Sequence, residues 1–210
     1  YRQDWLLENI LVAVLVPFGL LTARYFRLSN FSYTLITLFL LLHITGAHYT
    51  YEKVPFGDTI SEWFGAERNH YDRIVHFSFG FLLAYPIREM FLRIASVRGF
   101  WGYLLPLDVT LSCSALFEIF EWLVAAVVNP EAGLAYLGSQ GDIWDAQKDM
   151  VLAGLGALIT MSLIALVNWR YDAGFRSEFR DSLRVKSQMP LGEVRLRELM
   201  RARRQAARRR

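Results

Sequence analysis

The sequence predicts an all-α fold, a polytopic transmembrane helical bundle, on two observations. Five apolar runs fill most of residues 1–170, each about as long as the roughly 20 helical residues that cross a hydrocarbon core. The loops between them alternate strictly between basic and acidic, as membrane-flanking loops do. Five such runs with alternating loop charge exclude a soluble helical protein whose core helices happen to be apolar.

The first span is expected over Trp5 to Ala23, with Glu8 and Asn9 near its start and Pro17 as a kink. The second covers Phe31 to Tyr51, and the third Tyr71 to Ile94, least apolar because Arg88 and Glu89 sit near one end. The fourth covers Phe100 to Val128 and the fifth Ala146 to Asn168. Ala153, Gly154, Gly156 and Ala157 in the fifth permit close helix packing. Aromatic residues at the span ends (Trp5, Tyr25, Tyr51, Trp101, Tyr103, Trp144, Trp169 and Tyr171) suit interfacial belts.

Loop charge sets the expected orientation. The first loop carries Arg24 and Arg27, and the second carries Glu52, Asp58, Glu62 and Glu67 against Lys53 and Arg68. The third carries Arg93 and Arg98, and the fourth Glu131, Asp142 and Asp145 with no Lys or Arg. Lys and Arg prefer the cytoplasm, so the C-terminus is expected inside and the acidic loops outside.

Residues 1–170 are read as the bundle and 171–210 as a basic cytoplasmic tail. Residues 170–210 hold 13 of the 23 Lys and Arg, so the net charge of +3 describes the tail and not the body. A nucleic-acid protein spreads basic charge over a folded soluble surface, and nucleic acid is therefore not expected as a partner. In the tail, Leu191, Val194, Leu196, Leu199 and Met200 form an apolar stripe among Arg195, Arg197, Arg201, Arg203 and Arg204, ahead of Arg208, Arg209 and Arg210. It reads either as an amphipathic helix on anionic lipid or as a solvated tail that enforces topology. The single cysteine, Cys113, excludes an intramolecular disulfide and a paired-cysteine zinc site. Oligomeric state is left open.

Ionisable groups inside spans are expensive and mark function or buried pairs. Here they gather. His43, His48 and Glu52 end the second span, and Asn69-His70-Tyr71-Asp72-Arg73 with His76 opens the third. Glu118 and Glu121 lie in the fourth, and Asp142, Asp145, Lys148 and Asp149 lead into the fifth. Asp72 and His76 are four apart, as are Asp145 and Asp149, while Glu118 and Glu121 are three apart, so each set shares a helix face. At about 1.5 Å per residue, His48, His76, Glu121 and Asp149 fall roughly 5 to 11 Å below the expected outer surface.

Three readings follow. His48, His76, Glu121, Asp149 and Asp145 could hold a divalent metal, and imidazole with carboxylate suits Zn, Mn or Fe. A metal there would act on a lipid headgroup phosphate or ester. His76, Glu121, Asp149, Asp72 and Glu118 could instead perform acid–base catalysis without metal. Third, the groups could form a binding or structural network with Arg68, Arg73 and Lys148. HExxH, GxSxG, CxxC and P-loop signatures are absent, and Glu118 with Glu121 gives ExxE, not the ExxH of di-iron bundles. Gly138-Ser139-Gln140-Gly141 reads as a turn before a helix.

The strings Gly46-Ala47-His48-Tyr49-Thr50-Tyr51, Arg68 to Arg73, His76-Phe77, Glu118-Ile119-Phe120-Glu121-Trp122 and Gly141 to Asp149 resemble the YjdF-like bacterial inner-membrane proteins. The resemblance covers nearly all of residues 1–170, implies a multi-pass protein of the bacterial inner (cytoplasmic) membrane, and names no activity. It also implies a further helix before Tyr1, giving six spans. A weaker likeness joins Asp72 and His76, Glu118 or Glu121, and Asp149 to the VanZ-like proteins associated with glycopeptide resistance. The first functional expectation is a metal-dependent hydrolase or transferase acting on a lipid or lipid-linked envelope substrate. The alternatives are a non-catalytic protein that binds an envelope component or modulates antibiotic access, and a proton-coupled transporter.

Overall fold

A computed structural model describes residues 2–65, 68–127, 139–186 and 192–208. Expectations that rest on Glu67, Val128, Glu131, Gly138, Leu191, Arg209 and Arg210 lie outside them. Helices α1 (Arg2–Glu8) and α2 (Ile10–Thr22) form one apolar run interrupted at Asn9. Helix α3 (Asn30–His48) starts at Ser29, whose side chain accepts the Ser32 N–H as an N-cap. Helix α4 (Pro55–Phe64) has proline in its first turn and ends on left-handed Gly65. Helices α5 (Tyr71–Ile94), α6 (Trp101–Val127) and α7 (Asp145–Tyr171) complete the bundle, followed by α8 (Phe175–Ser182) and α9 (Glu193–Arg208).

Four segments are long and apolar enough to cross a membrane: Trp5–Thr22, Asn30–His48, Trp101–Val127 and Asp145–Tyr171. The expected third span has the length, 24 residues, but its charges keep it from meeting the same measure of apolarity. Its position supplies the reason: α5 packs against α3, α6 and α7, which shelter its polar side chains from lipid.

α5 and α7 are the most intimate pair. A Cβ at Gly80 would run into the carbonyl oxygen of Ala153, and one at Gly156 into that of Phe77, so each backbone lies against the other. The small residues expected to allow close packing divide: Ala153, Gly156 and Ala157 face α5, whereas Gly154 faces Leu111 of α6. Ala84, Ala157 and Met161 form a mid-bundle core bordered by Tyr103, Leu107 and Ile164. Phe39, Val54, Tyr71 and Val75 form a second core nearer the start of α5.

At the far end of α5, Glu89 holds the start of α3. Its carboxylate accepts the Ser29 N–H at 2.8 Å, the Ser29 hydroxyl at 2.8 Å, the Ser32 hydroxyl at 2.6 Å and Arg93 at 2.7 Å. Glu89→Ala strands these donors and is expected to cost about 2–3 kcal/mol. A melting curve in detergent that matches wild type would refute this. On the same side, α8 braces the α5–α6 turn, where Glu178 accepts the Gly99 N–H and Ser182 takes the Phe100 N–H and the Trp101 indole N–H.

Candidate functional site

Asn69, one residue before the N-cap His70, fixes the entry into α5: its side-chain oxygen accepts the Tyr71 N–H at 3.0 Å. The Asn69 amide donates in turn to Val54 O and to Asp58, which anchors α5 to α4. Gln140 clasps the Asn69 backbone, accepting its N–H at 2.9 Å and donating to its carbonyl at 3.1 Å. Gln140 adopts φ 47° and Gly141 φ 85°, which turns the chain so that Asp142 N–H reaches Ser139 O. The turn expected before the last span thus docks the start of α7 on the start of α5.

That docking assembles the charged groups. Asp72 and His76 stand on consecutive turns of α5, Glu118 on α6 and Asp149 on α7. The His76 Nε2 lies 3.5 Å from Asp72 Oδ1 and 3.4 Å from Glu118 Oε1. One ligating atom from each of Asp72, His76 and Asp149 lies within 4.8 Å of the other two. Asp149 is 2% exposed, and among the described residues neither its Oδ1 nor Glu118 Oε1 has a hydrogen-bond partner. Glu121 lies one turn beyond Glu118, close enough to Asp72, Glu118, Glu8 and Asp149 to feel their charge.

A second layer of charge covers this centre. Arg68 pairs with Asp145, lies 3.9 Å from both Asp72 and Asp142, and donates to Ser139 O at 3.0 Å. Arg73 and Lys148 converge on Asp142 at 2.5 and 2.6 Å. The Lys148 ammonium, the Trp144 N–H and Arg73 hold the Asp142 carboxyl down at about 2. A depressed carboxyl contributes above its ordinary value near 4, so this clamp weakens as pH falls through about 2. Burial, with Arg73 and Arg68 beside it, lowers His70 from its ordinary value and favours the neutral ring.

Not every expected site residue arrives. His48 is exposed at the end of α3, where its ring meets the Tyr49 ring 4.8 Å away between centroids. Asp145 is taken up by Arg68 and Arg73, the latter at 3.6 Å, and faces the arginines more than the imidazole. His43 is the second buried histidine. Its Nε2 lies 3.1 Å from Glu8 O, and its Nδ1 lies 2.7 Å from the Tyr51 hydroxyl. Tyr51 reaches it because Thr50 and Tyr51 both take φ 54°, folding the ring over Gly46, where a Cβ would strike it. Glu8 is buried near the start of the first apolar run, and in the sequence His43 and Tyr51 carry no spacing that sets them apart from other span-end polar residues.

Residues 1–170 match the family described as "Predicted membrane protein (DUF2238)". Over 170 residues the chain is 41% identical to "Inner membrane protein YjdF" of Escherichia coli (strain K12), covering 80% of this chain and 81% of that protein. No solved structure matches. The resemblance carried by the five strings is borne out, and the matched region contains the whole charged centre but not the basic tail.

Proposed function

The chain belongs to the DUF2238 family of predicted membrane proteins, and from that premise we propose that it is a bacterial inner-membrane enzyme with a divalent metal centre. Asp72, His76 and Asp149 are the ligands and Glu118 the fourth. The observation that carries this reading is an excess of buried carboxylate. Among the described residues, no Lys or Arg forms an ion pair with Glu118, Glu121 or Asp149. Uncompensated buried charge is costly, and either a cation or protons must offset it. The geometry favours a cation. Tetrahedral ligands about 2.1 Å from zinc stand about 3.4 Å apart, close to the 3.4 and 3.5 Å separations around His76 Nε2.

Imidazole with carboxylates suits Zn, Mn or Fe. When bound, such a metal would supply an activated water and polarise a phosphoryl or ester oxygen. Glu121, one turn beyond Glu118 and without an ion pair to Lys or Arg among the described residues, would serve as the general base. A lipid or lipid-linked substrate suits a polar centre carried on membrane-spanning helices, and Arg68 and Arg73 would bind an anionic headgroup only by exchanging part of their pairing with Asp142 and Asp145. The loop charges put this centre on the outer side and the C-terminus in the cytoplasm. Helix α9 carries exposed Leu196, Leu199 and Met200 among its arginines, which suits an anionic lipid surface. A metal-free His76–carboxylate acid–base pair is the second reading, because protons can offset the same charge.

Elemental analysis of protein purified without chelator separates the two. Stoichiometric Zn, Mn or Fe is expected in wild type and its loss in His76→Gln or Asp149→Asn. Metal-free wild type sinks the metal reading, and metal retained in both variants sinks the ligand assignment. For the enzymatic part, phosphorus spectra of lipid-linked diphosphate in vesicles should change with loaded wild type and not with His76→Gln. An unchanged spectrum with loaded wild type overturns it.

A further inference from the structure

Asp108 belongs to no part of the charged centre. It is exposed on α6, and among the described residues no hydrogen bond or ion pair reaches it. It is not near an end of the bundle. Its chain neighbour Leu107 packs against the core of Ala84, Ala157 and Met161, and Ala84 sits mid-way along the 24-residue α5. At about 1.5 Å per residue, Asp108 lies roughly 10 Å inward from Trp101. A carboxyl directed from this depth into hydrocarbon is among the least favourable placements a side chain can have.

One turn on, Ser112 is also exposed and also has no partner among the described residues. At about 100° per residue, Leu104, Ser112 and Ala115 all lie within about 40° of Asp108 around the helix. Asp108 and Ser112 thus stand one turn apart on one stripe, with Leu104 and the small Ala115 beside them. Acyl chains offer neither group a hydrogen bond.

We propose that this stripe of α6 is the contact with a second copy of the chain, packed parallel about a two-fold axis. Both unpartnered groups can pair with themselves. A protonated carboxyl donates and accepts, as does a hydroxyl. An identical helix in the same orientation matches the Asp108 level and the Ser112 level at once, and Ala115 lets the backbones approach. A partner presenting Lys or Arg would satisfy Asp108 but would not by that pairing explain Ser112.

The test uses the full chain in native membranes. Cys113, five residues from Asp108, lies about 140° round the helix, so oxidation of wild type is expected to leave the chain monomeric. Ala115→Cys in a Cys113→Ser background is expected to give mainly a disulfide-linked species of about twice the 24.3 kDa chain mass. Adding Asp108→Leu, which suits a lipid-facing position, is expected to lower the linked fraction about tenfold, whereas Asp108→Asn, which still pairs with itself, retains it. Three outcomes overturn the proposal: no dimer from Ala115→Cys, a dimer indifferent to Asp108→Leu, or an adduct with a different protein. Linkage through wild-type Cys113 as efficient as through Ala115→Cys overturns it as well.

Discussion

Gly156→Leu is expected to prevent the bundle from assembling. A side chain at Gly156 meets main chain and not side chain: the Phe77 carbonyl, the Phe81 nitrogen at 2.6 Å and the Gly80 carbonyl carbon at 3.2 Å. Backbone inside a helix cannot swing aside, so α5 and α7 must part. Ordinary overpacking costs about 1–3 kcal/mol because neighbouring side chains shift. Here the whole interface opens, uncovering Ala84, Ala153 and Ala157, each 0% exposed. We expect a loss of about 4 kcal/mol or more, within reach of the total stability of a marginal domain. Gly154→Ala is the contrast: its Cβ would meet the tip of Leu111, a flexible side chain, at 2.6 Å, and should cost about 1 kcal/mol or less. Size-exclusion profiles and melting in detergent would show this, and a monodisperse Gly156→Leu that melts with wild type would refute the close-contact account.

The same contact marks the limit of what the sequence discloses. Ala153, Gly156 and Ala157 announce a close approach on the last span, but their counterpart Gly80 is an unremarkable glycine in an apolar string until α5 is placed beside α7. Span ends are legible because the change from apolar to charged residues is abrupt, and Asn30–His48 and Asp145–Tyr171 fall near the expected Phe31–Tyr51 and Ala146–Asn168. Depth is legible too, since rise per residue is fixed. Azimuth is not. His43 and His48 differ by about 140° around α3, so they cannot both face the interior, and nothing in the string decides which one does. The fold chooses His43, because Tyr51 turns back over Gly46 to meet it. Helix α4 carried readable signals, Pro55 at its start and Gly65 after its end, within a loop read only for its charge.

Arg68→Ala is expected to cost about 3 kcal/mol, the lower end for breaking a buried ion pair, because it removes the nearer of two cations on Asp145 and leaves Arg73 at 3.6 Å. The side chain is 11% exposed, pairs with Asp145 and stands 3.9 Å from Asp72. It also donates to Ser139 O, so its loss frees the approach to α7 from the start of α5. Arg73→Ala should cost less, because its main partner Asp142 keeps Lys148 at 2.6 Å. The pairing can be separated from simple loss of packing by a double-mutant cycle. If the weakened pairing of Asp145 is the main penalty, Arg68→Ala with Asp145→Ala must be more stable than Arg68→Ala alone, with a coupling of about 1–3 kcal/mol. Melting in detergent reads both effects. A double variant no more stable than the single one would mean that Arg68 acts through the Ser139 tether, and the turn, not the ion pair, would then be what holds Asp149 against His76.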